Sequence, residues 1–355
     1  MPNATLTRAI DALASRRDLS ADETADVLAE IMHGEVSETQ IAGFLIALRT
    51  KGETVEELAG LARTMRALAA HVPSDRGGEL LDTAGTGGGR SSFNVSTTAA
   101  LIAAGAGCAV AKHGNRSATS RSGSADLLEA LGARIDLDPA GVAGCIDEAG
   151  FGFMFAPAHH QATRFVVPVR RELAVRTIFN LLGPLTNPAG ARRQLIGVSD
   201  ASFLERVAGA LATLGVDRAL VVAGEDGLDE VSAVAPTKVV EVNGEEIARY
   251  VLNPLDVGVD SADAGARGPD GGTPEQNAAV TRAILAGERV GEGAPAGEAL
   301  AVINAGAAIY AAGGADSIAQ GVQAARTALA EGRAAAALER YVQASQRHAP
   351  AEASA

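Results

Sequence analysis

Gly85-Thr86-Gly87-Gly88-Gly89 leads into Phe93-Asn94-Val95-Ser96-Thr97, and an alanine-rich run of helical character follows. Glycines let an anion approach the backbone closely, and the N–H groups and dipole at the start of a helix favour negative charge. The alternative is a simple N-cap, since Asn, Ser and Thr are favoured capping residues. Taken alone, the stretch leaves both interpretations open.

A second polar segment, Lys112-His113-Gly114-Asn115-Arg116-Ser117, lies between the apolar run 101–111 and a predicted helix, 125–131. In α/β sheets ligands bind beyond the carboxyl ends of strands, where this segment would project. Its Lys, Arg, amide and hydroxyl groups suit a multiply charged phosphate ester. A solvated loop is the alternative. Together the two segments predict a site for a phosphorylated substrate.

Asp229-Glu230 follows a strand-like run, 219–223, and a glycine-bounded turn. Acidic turns are usually solvated surface. If a phosphorylated ligand binds opposite, however, two adjacent carboxylates can hold Mg²⁺, which prefers hard oxygen ligands and often bridges carboxylates to phosphates.

The segment from Arg170 to Leu185 reads as a helix that Gly183-Pro184 stops. An i,i+4 pair between Glu172 and Arg176 would account for two of its charges. Arg170 has no such local partner, so it is the better ligand candidate. His159 and His160 lack companions at metal spacing, and we expect them to be packed or exposed rather than zinc ligands.

The chain divides by pattern into a helical part and an α/β part. Ser20 with Glu23, Ser37 with Gln40 and Thr54 with Glu57 predict three capping boxes, and Gly34 and Gly52 fit helix ends. Beyond residue 80, strand-like runs at 219–223, 238–242 and 299–303 alternate with helical patterns at 202–214 and 304–312. We predict a small helical domain over 1–72, a large α/β domain with a central, largely parallel sheet over 73–345, a surface loop at 257–273 and a disordered tail over 346–355.

Composition limits the function classes. The formal net charge of −13 argues against nucleic-acid binding, which depends on Lys and Arg. Two cysteines give no disulfide framework, and no signal peptide or membrane span is evident in the sequence. We expect a cytoplasmic protein without a nucleic-acid or membrane partner.

These segments closely resemble the anthranilate phosphoribosyltransferases, which join anthranilate to phosphoribosyl diphosphate (PRPP) in tryptophan biosynthesis. The resemblance runs over nearly the whole chain, from Gln40–Gly52 to Gly227–Glu230, and its most specific tracts are Lys112–Asp126 and Arg176–Pro188. It implies a small helical domain joined to a large α/β domain, a helical excursion around 170–185 that returns to the small domain, a homodimer formed through the helical part, and dependence on Mg²⁺.

The resemblance also implies roles for individual residues. The magnesium ligands would be Ser96, Asp229 and Glu230. The anthranilate contacts would be Gly85, His113, Asn115 and Arg170, of which Asn115 and Arg170 would act in catalysis together with Lys112. The PRPP site would comprise Gly85, Gly88, Ser92, Asn94, Val95, Ser96, Thr97, Lys112, His113, Gly114, Asn115, Arg116, Ser117, Ala118, Thr119, Ser120 and Ser124.

The chain departs from the family pattern at a few positions. Gly89 replaces a usual aspartate, and the loop before Phe93 is one residue shorter, which removes one carboxylate near the ligand. Ala174 replaces a usual glycine and Gln161 a usual proline, and both changes look tolerable.

The implied reaction is attack of the anthranilate amine on C1 of the ribose as diphosphate leaves. An aromatic amine needs no strong base, so we expect catalysis to rest on positioning and on neutralising diphosphate with Mg²⁺ and Lys112. Arg170 would orient the anthranilate carboxylate. A pyrimidine nucleoside phosphorylase of the same architecture and a non-catalytic relative that binds nucleic acid are the weaker alternatives.

Overall fold

A computed structural model describes residues 2–117, 120–260, 268–287 and 297–350. Four helices form the N-terminal unit: α1 (Ala4–Ala14), α2 (Ala21–Met32), α3 (Glu38–Lys51) and α4 (Val55–Ala67). Capping boxes begin α2 and α4 as predicted. Gly34 and Gly52 have φ of 78° and 92° at the ends of α2 and α3, which confirms them as helix stops.

The third predicted capping box is only half formed. Ser37 accepts a hydrogen bond from Gln40 N at 3.4 Å, as a cap should. The Gln40 side chain, however, accepts from Asn3 N at 2.9 Å and donates to Asn3 O at 3.0 Å instead of turning back to its own helix. The amide therefore ties the start of α1 to α3, a contact that depends on a residue 37 positions away.

The α/β domain is built on one mixed sheet. Its strands are β1 (Leu81–Gly85), β2 (Val110–Gly114), β3 (Phe151–Phe155), β4 (Arg193–Gly197), β5 (Arg218–Gly224), β6 (Thr237–Asn243) and β7 (Glu246–Leu252). In the described residues the order is β3-β2-β1-β4-β5-β6-β7, with the first five strands parallel and the last two antiparallel. The largely parallel sheet is thereby confirmed, as are the strands predicted at 219–223 and 238–242.

The remaining helices cover the sheet and link its strands. They are α5 (Val95–Gly105), α6 (Ser124–Ala130), α7 (Pro139–Ala149), α8 (Ala156–His159), α9 (Val167–Leu173), α10 (Phe179–Leu185), α11 (Leu204–Thr213), α12 (Pro274–Ala286), α13 (Glu298–Ala311), α14 (Ile318–Ala330) and α15 (Arg333–His348). No helix in the described ranges is long and apolar enough to cross a membrane.

The strand predicted at 299–303 is wrong, because these residues belong to α13. A short apolar run fits a buried strand or a buried helix equally well, and periodicity cannot separate them. Nearly every residue of α13 is buried. Gly306 lets α14 pack closely, since a Cβ there would lie 2.6 Å from Val322 N.

The region from Arg170 to Leu185 is two helices rather than one. Ala174, with φ of 50°, ends α9, and α10 continues through Pro184 to Leu185. The Glu172–Arg176 pair predicted for a continuous helix is therefore wrong, and Arg176 lies in the link between the helices. Apolar residues of α9 and α10 share a buried core with α1–α4, α11 and one face of the sheet.

The predictions for the ends and loops had mixed outcomes. Helix α15 extends to His348, so 346–348 are helical rather than part of a disordered tail. Residues 351–355 of that tail and 261–267 of the predicted 257–273 loop lie outside the described residues. Cys108 and Cys145 are free thiols.

Candidate active site at the carboxyl ends of the parallel strands

The predicted site segments meet at one edge of the sheet. Strand register pairs Gly85 with Gly197 and Gly114 with Phe155, so the carboxyl ends of neighbouring parallel strands are level. The glycine loop (86–89) follows β1, the second loop (115–124) follows β2, and the acidic pair (229–230) follows β5. Because the chain runs from β1 outward to β2 and β3 and then returns to β4 on the other side, this edge contains a topological switch point, where α/β sheets bind ligands.

The glycine loop is held from two sides. Gly87 N donates to Asp229 Oδ2 at 2.8 Å. Arg176 donates to Thr86 O at 3.1 Å and to Gly87 O. Gly88 has φ of 81°, and a Cβ there would lie 2.8 Å from Arg176 Nη1. The loop thus needs glycine both for its backbone conformation and for its contact with a guanidinium.

Asn94 is the N-cap residue of α5, but its side chain makes no capping hydrogen bond, so the N-cap interpretation is confirmed for its position alone. The Asn94 amide donates to Ser122 O at 3.1 Å and accepts from Asn277 Nδ2 at 2.8 Å, so it joins the second loop to α12. The Ser96 N–H instead donates to the Glu230 carboxylate. The Glu230 carboxyl group therefore lies at this helix N-terminus, where the dipole favours its charged form.

Two of the predicted PRPP residues at the start of α5 point into the core. Val95 is 1% exposed and Thr97 is fully buried. Their side chains are therefore packing groups, and only their backbone can face a ligand. Ser92 and Ser96 are half-buried. Ser92 Oγ donates to Phe93 O at 3.1 Å.

Lys112 is a strand residue of β2 rather than a loop residue, and it is only 2% exposed. Its ammonium donates to Thr83 O and lies 3.3 Å from Ser96 Oγ, directly beneath the start of α5. Burial lowers the pKa of Lys112, while the charges of Asp82 and Glu230 oppose that shift. The structure thus places a buried cation between the acidic pair and the helix N-terminus.

His113 is held as a neutral imidazole. Its Nδ1 lies 3.1 Å from Gly183 O, which only a protonated nitrogen can contact favourably. Burial lowers the pKa of His113 to about 3, and the neighbouring His160 adds to the shift. Nε2 is left as a buried acceptor with no partner among the described residues.

Arg116, unlike Lys112, is exposed and already paired with acidic side chains. It forms ion pairs with Asp126 at 2.8 Å and with Glu129, and its guanidinium lies 5.6 Å from the Phe155 ring centroid. Hydrogen bonds to Glu129 and Asp126 raise its pKa. The predicted phosphate cation is therefore already neutralised by acids of α6.

Several polar groups of the second loop form hydrogen bonds with other groups of the same loop. Ser117 Oγ lies 2.6 Å from Ser120 Oγ, and Ser124 Oγ donates to Asn115 O at 3.3 Å. Asn115 is exposed, and its Oδ1 accepts from Arg116 N. Ala118 and Thr119 of the predicted site lie outside the described residues.

The acidic pair is half-buried beside the glycine loop and α5. Burial raises the pKa of Asp229, and burial together with the Asp229 charge raises the pKa of Glu230 well above its usual value, against the pull of Lys112. Two carboxylates kept close in this way form a donor set that suits a hard cation. Within the described ranges no group of three or more His, Cys, Asp or Glu residues could hold a metal ion, so further ligands would be other oxygen donors such as hydroxyls, carbonyls, water or substrate.

Arg170 lies on α9, with its guanidinium 5.4 Å from the centroid of the Phe179 ring on α10. Burial lowers its pKa. The next helix, α10, also contributes the Gly183 carbonyl that contacts His113. The two histidines flanking this region are buried: His159 Nδ1 lies 3.2 Å from Ala70 O, and His160 Nε2 lies 3.0 Å from Thr186 O.

Sequence reasoning missed two supporting groups. Asp82 is 1% exposed on β1, accepts from His113 N at 3.1 Å and from Asn187 Nδ2 at 2.7 Å, and so ties β1 to β2 and to the segment after α10. The sequence signal that could have identified Asp82 is a single acidic residue within an apolar, strand-like run. The sequence gave no comparable signal for the contact of Arg176 with the glycine loop. That contact depends on α9 ending at Ala174, and an alanine does not by itself indicate a left-handed helix end.

Comparisons with known proteins agree on one family. The helical bundle domain of the glycosyl transferase family matches residues 7–69, and the a/b domain of that family matches residues 77–335. An anthranilate phosphoribosyltransferase of Rubrobacter xylanophilus is 51% identical over 311 residues, covering 86% of this chain and 88% of the relative. One of Herpetosiphon aurantiacus is 50% identical over 305 residues, covering 85% and 88%.

Solved structures give the same result. The crystal structure of anthranilate phosphoribosyltransferase from Thermus thermophilus matches with a TM-score of 0.87 and 47% identity, covering 95% of this chain and 99% of that one. The Saccharomyces cerevisiae enzyme in complex with PRPP and Mg matches with a TM-score of 0.86 and 27% identity, covering 97% and 99%.

Proposed function

This chain belongs to the anthranilate phosphoribosyltransferase family, and we propose that it transfers the phosphoribosyl group of PRPP to the amine of anthranilate. The products are N-(5-phosphoribosyl)anthranilate and diphosphate, and the reaction is a step of tryptophan biosynthesis. Relatives at about half identity carry this name, which favours this reaction over nucleoside phosphorolysis.

The observation that carries the proposal is the convergence of Lys112, the acidic pair and the start of α5. Lys112 Nζ lies 3.3 Å from Ser96 Oγ, and Glu230 accepts from Ser96 N. A buried cation, a helix N-terminus and two carboxylates at one point are what a diphosphate with its counter-ion requires.

We propose that the glycine loop and the start of α5 bind PRPP mainly through backbone N–H groups. Val95 and Thr97 contribute no side chain to it, because both are buried in the core. The second loop would close the other side with its hydroxyls. The remaining members of this proposed PRPP site are Gly85, Gly88, Ser92, Asn94, Ser96, Lys112, His113, Gly114, Asn115, Arg116, Ser117, Ala118, Thr119, Ser120 and Ser124.

Magnesium fits this donor set. The yeast relative was solved with PRPP and Mg. In this chain Asp229, Glu230 and the Ser96 hydroxyl would hold the ion. Burial raises the pKa of Asp229, and burial together with the Asp229 charge raises the pKa of Glu230, a cost that a bound cation would relieve. When bound, Mg²⁺ supplies charge neutralisation for the departing diphosphate.

We propose that anthranilate binds beside β1 and β2, against Gly85, His113, Asn115 and Arg170. His113 is neutral, and its Nε2 is a buried acceptor without a protein partner in the described ranges. It can therefore accept a hydrogen bond from the anthranilate amine. Arg170 would pair with the carboxylate, which orients the amine toward the ribose.

The proposed reaction needs little acid–base catalysis from the residues of the site. The amine of anthranilate is a sufficient nucleophile, so no strong base is needed. The C1–O bond to diphosphate breaks as the N–C1 bond forms, the new aryl ammonium loses one proton to water or to the departing diphosphate, and Lys112 stabilises negative charge on the leaving group. Asn115 would complete the site by fixing substrate orientation.

Exposed apolar residues on and beside α3 and α9 support a proposed contact with a second copy. Ile46 on α3, Val167 at the start of α9 and Val175 just after it are exposed apolar residues, and α3 contacts α9. We propose that this face forms a homodimer. The two free thiols fit a reducing cytoplasm, which we propose as the location.

A direct assay tests the reaction. The purified chain with anthranilate, PRPP and Mg²⁺ should consume anthranilate and release equimolar diphosphate, and chelation by EDTA should stop turnover until Mg²⁺ is restored. Thymidine with inorganic phosphate is the control substrate pair. Phosphorolysis of thymidine with no consumption of anthranilate would refute the proposal.

A further inference from the structure

A second pocket lies between the helical unit and the α/β domain, outside the site described above. Its volume is about 390 Å³, within the range of small-molecule sites. The pocket is bounded by the α3–α4 link, the start of α10 and the segment that follows β4. It is lined by Arg49, Gly52, Glu53, Thr86, Arg176, Thr177, Asn180, Leu181, Ser199, Asp200, Phe203 and Arg206. Of the proposed PRPP-binding segments only the glycine loop reaches it, through Thr86, and none of the proposed anthranilate or metal residues lines it.

The lining carries three arginines against two acids. Arg206 Nη1 pairs with Glu53 Oε2 at 3.5 Å, and its guanidinium lies 4.4 Å from the centroid of the Phe203 ring. Arg49 donates to the Arg176 carbonyl at 2.7 Å, and Arg176 donates to Ser199 Oγ at 2.7 Å. In the part of the chain that the structure describes, neither Arg49 nor Arg176 forms an ion pair. Arg176 lies near enough to Asp200 and Asp229 for its charge to favour their ionised forms, so Arg49 is the pocket arginine for which the described residues provide no acidic partner.

The hydroxyl of Thr177 is a second, independent sign of a ligand. Thr177 is 5% exposed, and its Oγ1 finds no hydrogen-bond partner among the described residues. Its own N–H is already satisfied by Asn180 Oδ1 at 3.0 Å. A buried hydroxyl without a partner costs free energy that a polar ligand atom can recover.

We propose that this pocket, named here the Arg49 pocket, binds a small organic carboxylate with an apolar body. Guanidinium groups pair with planar carboxylates, and the Thr177 hydroxyl can donate to the same group. Leu181 and Phe203 supply apolar wall for the rest of the molecule. The excess of one positive charge matches a monoanion better than a doubly charged phosphate.

The pocket also touches the catalytic edge of the sheet. Arg176 lines the pocket and donates to Thr86 O and Gly87 O of the glycine loop. Arg176 and Thr86, which lines the pocket and belongs to the glycine loop, therefore connect the two sites, although the proposal concerns binding in the Arg49 pocket and does not depend on turnover.

Calorimetric titration of the full chain with benzoate tests the proposal, with benzamide as the uncharged isostere and inorganic phosphate as the alternative anion. Benzoate can also enter the proposed anthranilate site, so Arg170→Ala is titrated in parallel. We expect benzoate binding that survives Arg170→Ala and that is at least about tenfold tighter than binding of benzamide or phosphate.

Two variants assign that binding to the pocket. Arg49→Met should weaken it by about tenfold or more, and the isosteric Thr177→Val by about threefold. Arg63→Met, an exposed arginine of α4 paired with Asp22, is the matched control and should change nothing. The proposal is overturned if all benzoate binding disappears in Arg170→Ala. It is also overturned if no binding occurs below about 10 mM, or if Arg49→Met and Thr177→Val bind benzoate like the control.

Discussion

Lys112 and Arg116 are four residues apart and carry the same charge, yet they lie in regions of opposite character. Lys112 is buried beneath the start of α5, where burial lowers its pKa and the nearest carboxylates belong to the candidate site. Arg116 lies in the exposed second loop, where Asp126 and Glu129 pair with it. In the proposed reaction the first cation would stabilise the diphosphate, whereas the second is already neutralised by its ion pairs. Position in a motif therefore does not determine what a charged side chain can do, and the tertiary neighbours decide it.

The strongest test of the buried region is to neutralise its acidic pair. Asp229→Asn combined with Glu230→Gln keeps the shape of both side chains and removes the charges proposed to hold Mg²⁺. We predict that turnover falls by about 10³-fold or more, since several kcal/mol of charge stabilisation are lost. Steady-state assays with a magnesium titration measure this, and circular dichroism checks the fold. Retention of magnesium-dependent turnover would show that the pair is not a metal site.

Replacing each cation in turn tests the comparison directly. Lys112→Met should lower kcat by about 10²–10³-fold, because a buried charge donor to the leaving group is lost. Arg116→Met should lower it by less than about tenfold, because an exposed, paired charge contributes little. Urea unfolding of both variants separates lost stability from lost chemistry. Equal losses of kcat would mean that the ion pairs of Arg116 open during the reaction. The difference between Lys112 and Arg116 would then hold for the unliganded chain alone.

Arg170 tests whether a third cation recognises the other substrate. Arg170→Ala should raise KM for anthranilate by about 10–100-fold, as expected for a charge-assisted hydrogen bond, and change KM for PRPP by less than about threefold. Arg171→Ala, an exposed neighbour on α9, is the matched control. Were both Michaelis constants to rise together, Arg170 would instead be a structural partner of Phe179.

Gly89 gives the smallest expected effect and concerns the departure from the family pattern. A Cβ at this position would lie 2.8 Å from Gly227 O and 3.0 Å from Asp229 Oδ1, so any side chain crowds the acidic turn. We predict that Gly89→Asp binds PRPP about fivefold more weakly than Gly89→Ala, since the added carboxylate repels the diphosphate by about 1 kcal/mol. Equilibrium binding with and without Mg²⁺ measures the difference. Tighter binding of Gly89→Asp in magnesium would mean that the shortened loop can still place a carboxylate on the ion.

Local signals in the sequence predicted much of the fold. The capping residues Ser20 and Thr54 and the stops Gly34 and Gly52 mark helix ends through contacts within a few residues, so the sequence contains all the information they need. Strands β5 and β6 are also evident, because their apolar residues differ from the turns around them. The glycine run and the Lys112–Ser117 motif located the candidate site at the strand ends from local pattern alone.

Other features depended on partners far away in the chain. The apolar run 299–303, which also fits a strand, lies in a buried helix. The Gln40 side chain bonds to Asn3 instead of completing the capping box of α3. Arg176 turned to the glycine loop because Ala174 ends α9 in a left-handed conformation.

The sequence by itself thus determined the division into a helical part and an α/β part, the family and the residue types of the site. Only the tertiary structure decided that Lys112 is buried, that Arg116 is paired and that Glu230 lies at the start of α5. The physical reason is the separation along the sequence over which each interaction acts. Helix caps and periodicity involve residues within one or two helical turns of each other. Burial and ion pairing, in contrast, depend on which distant segments the fold brings into contact.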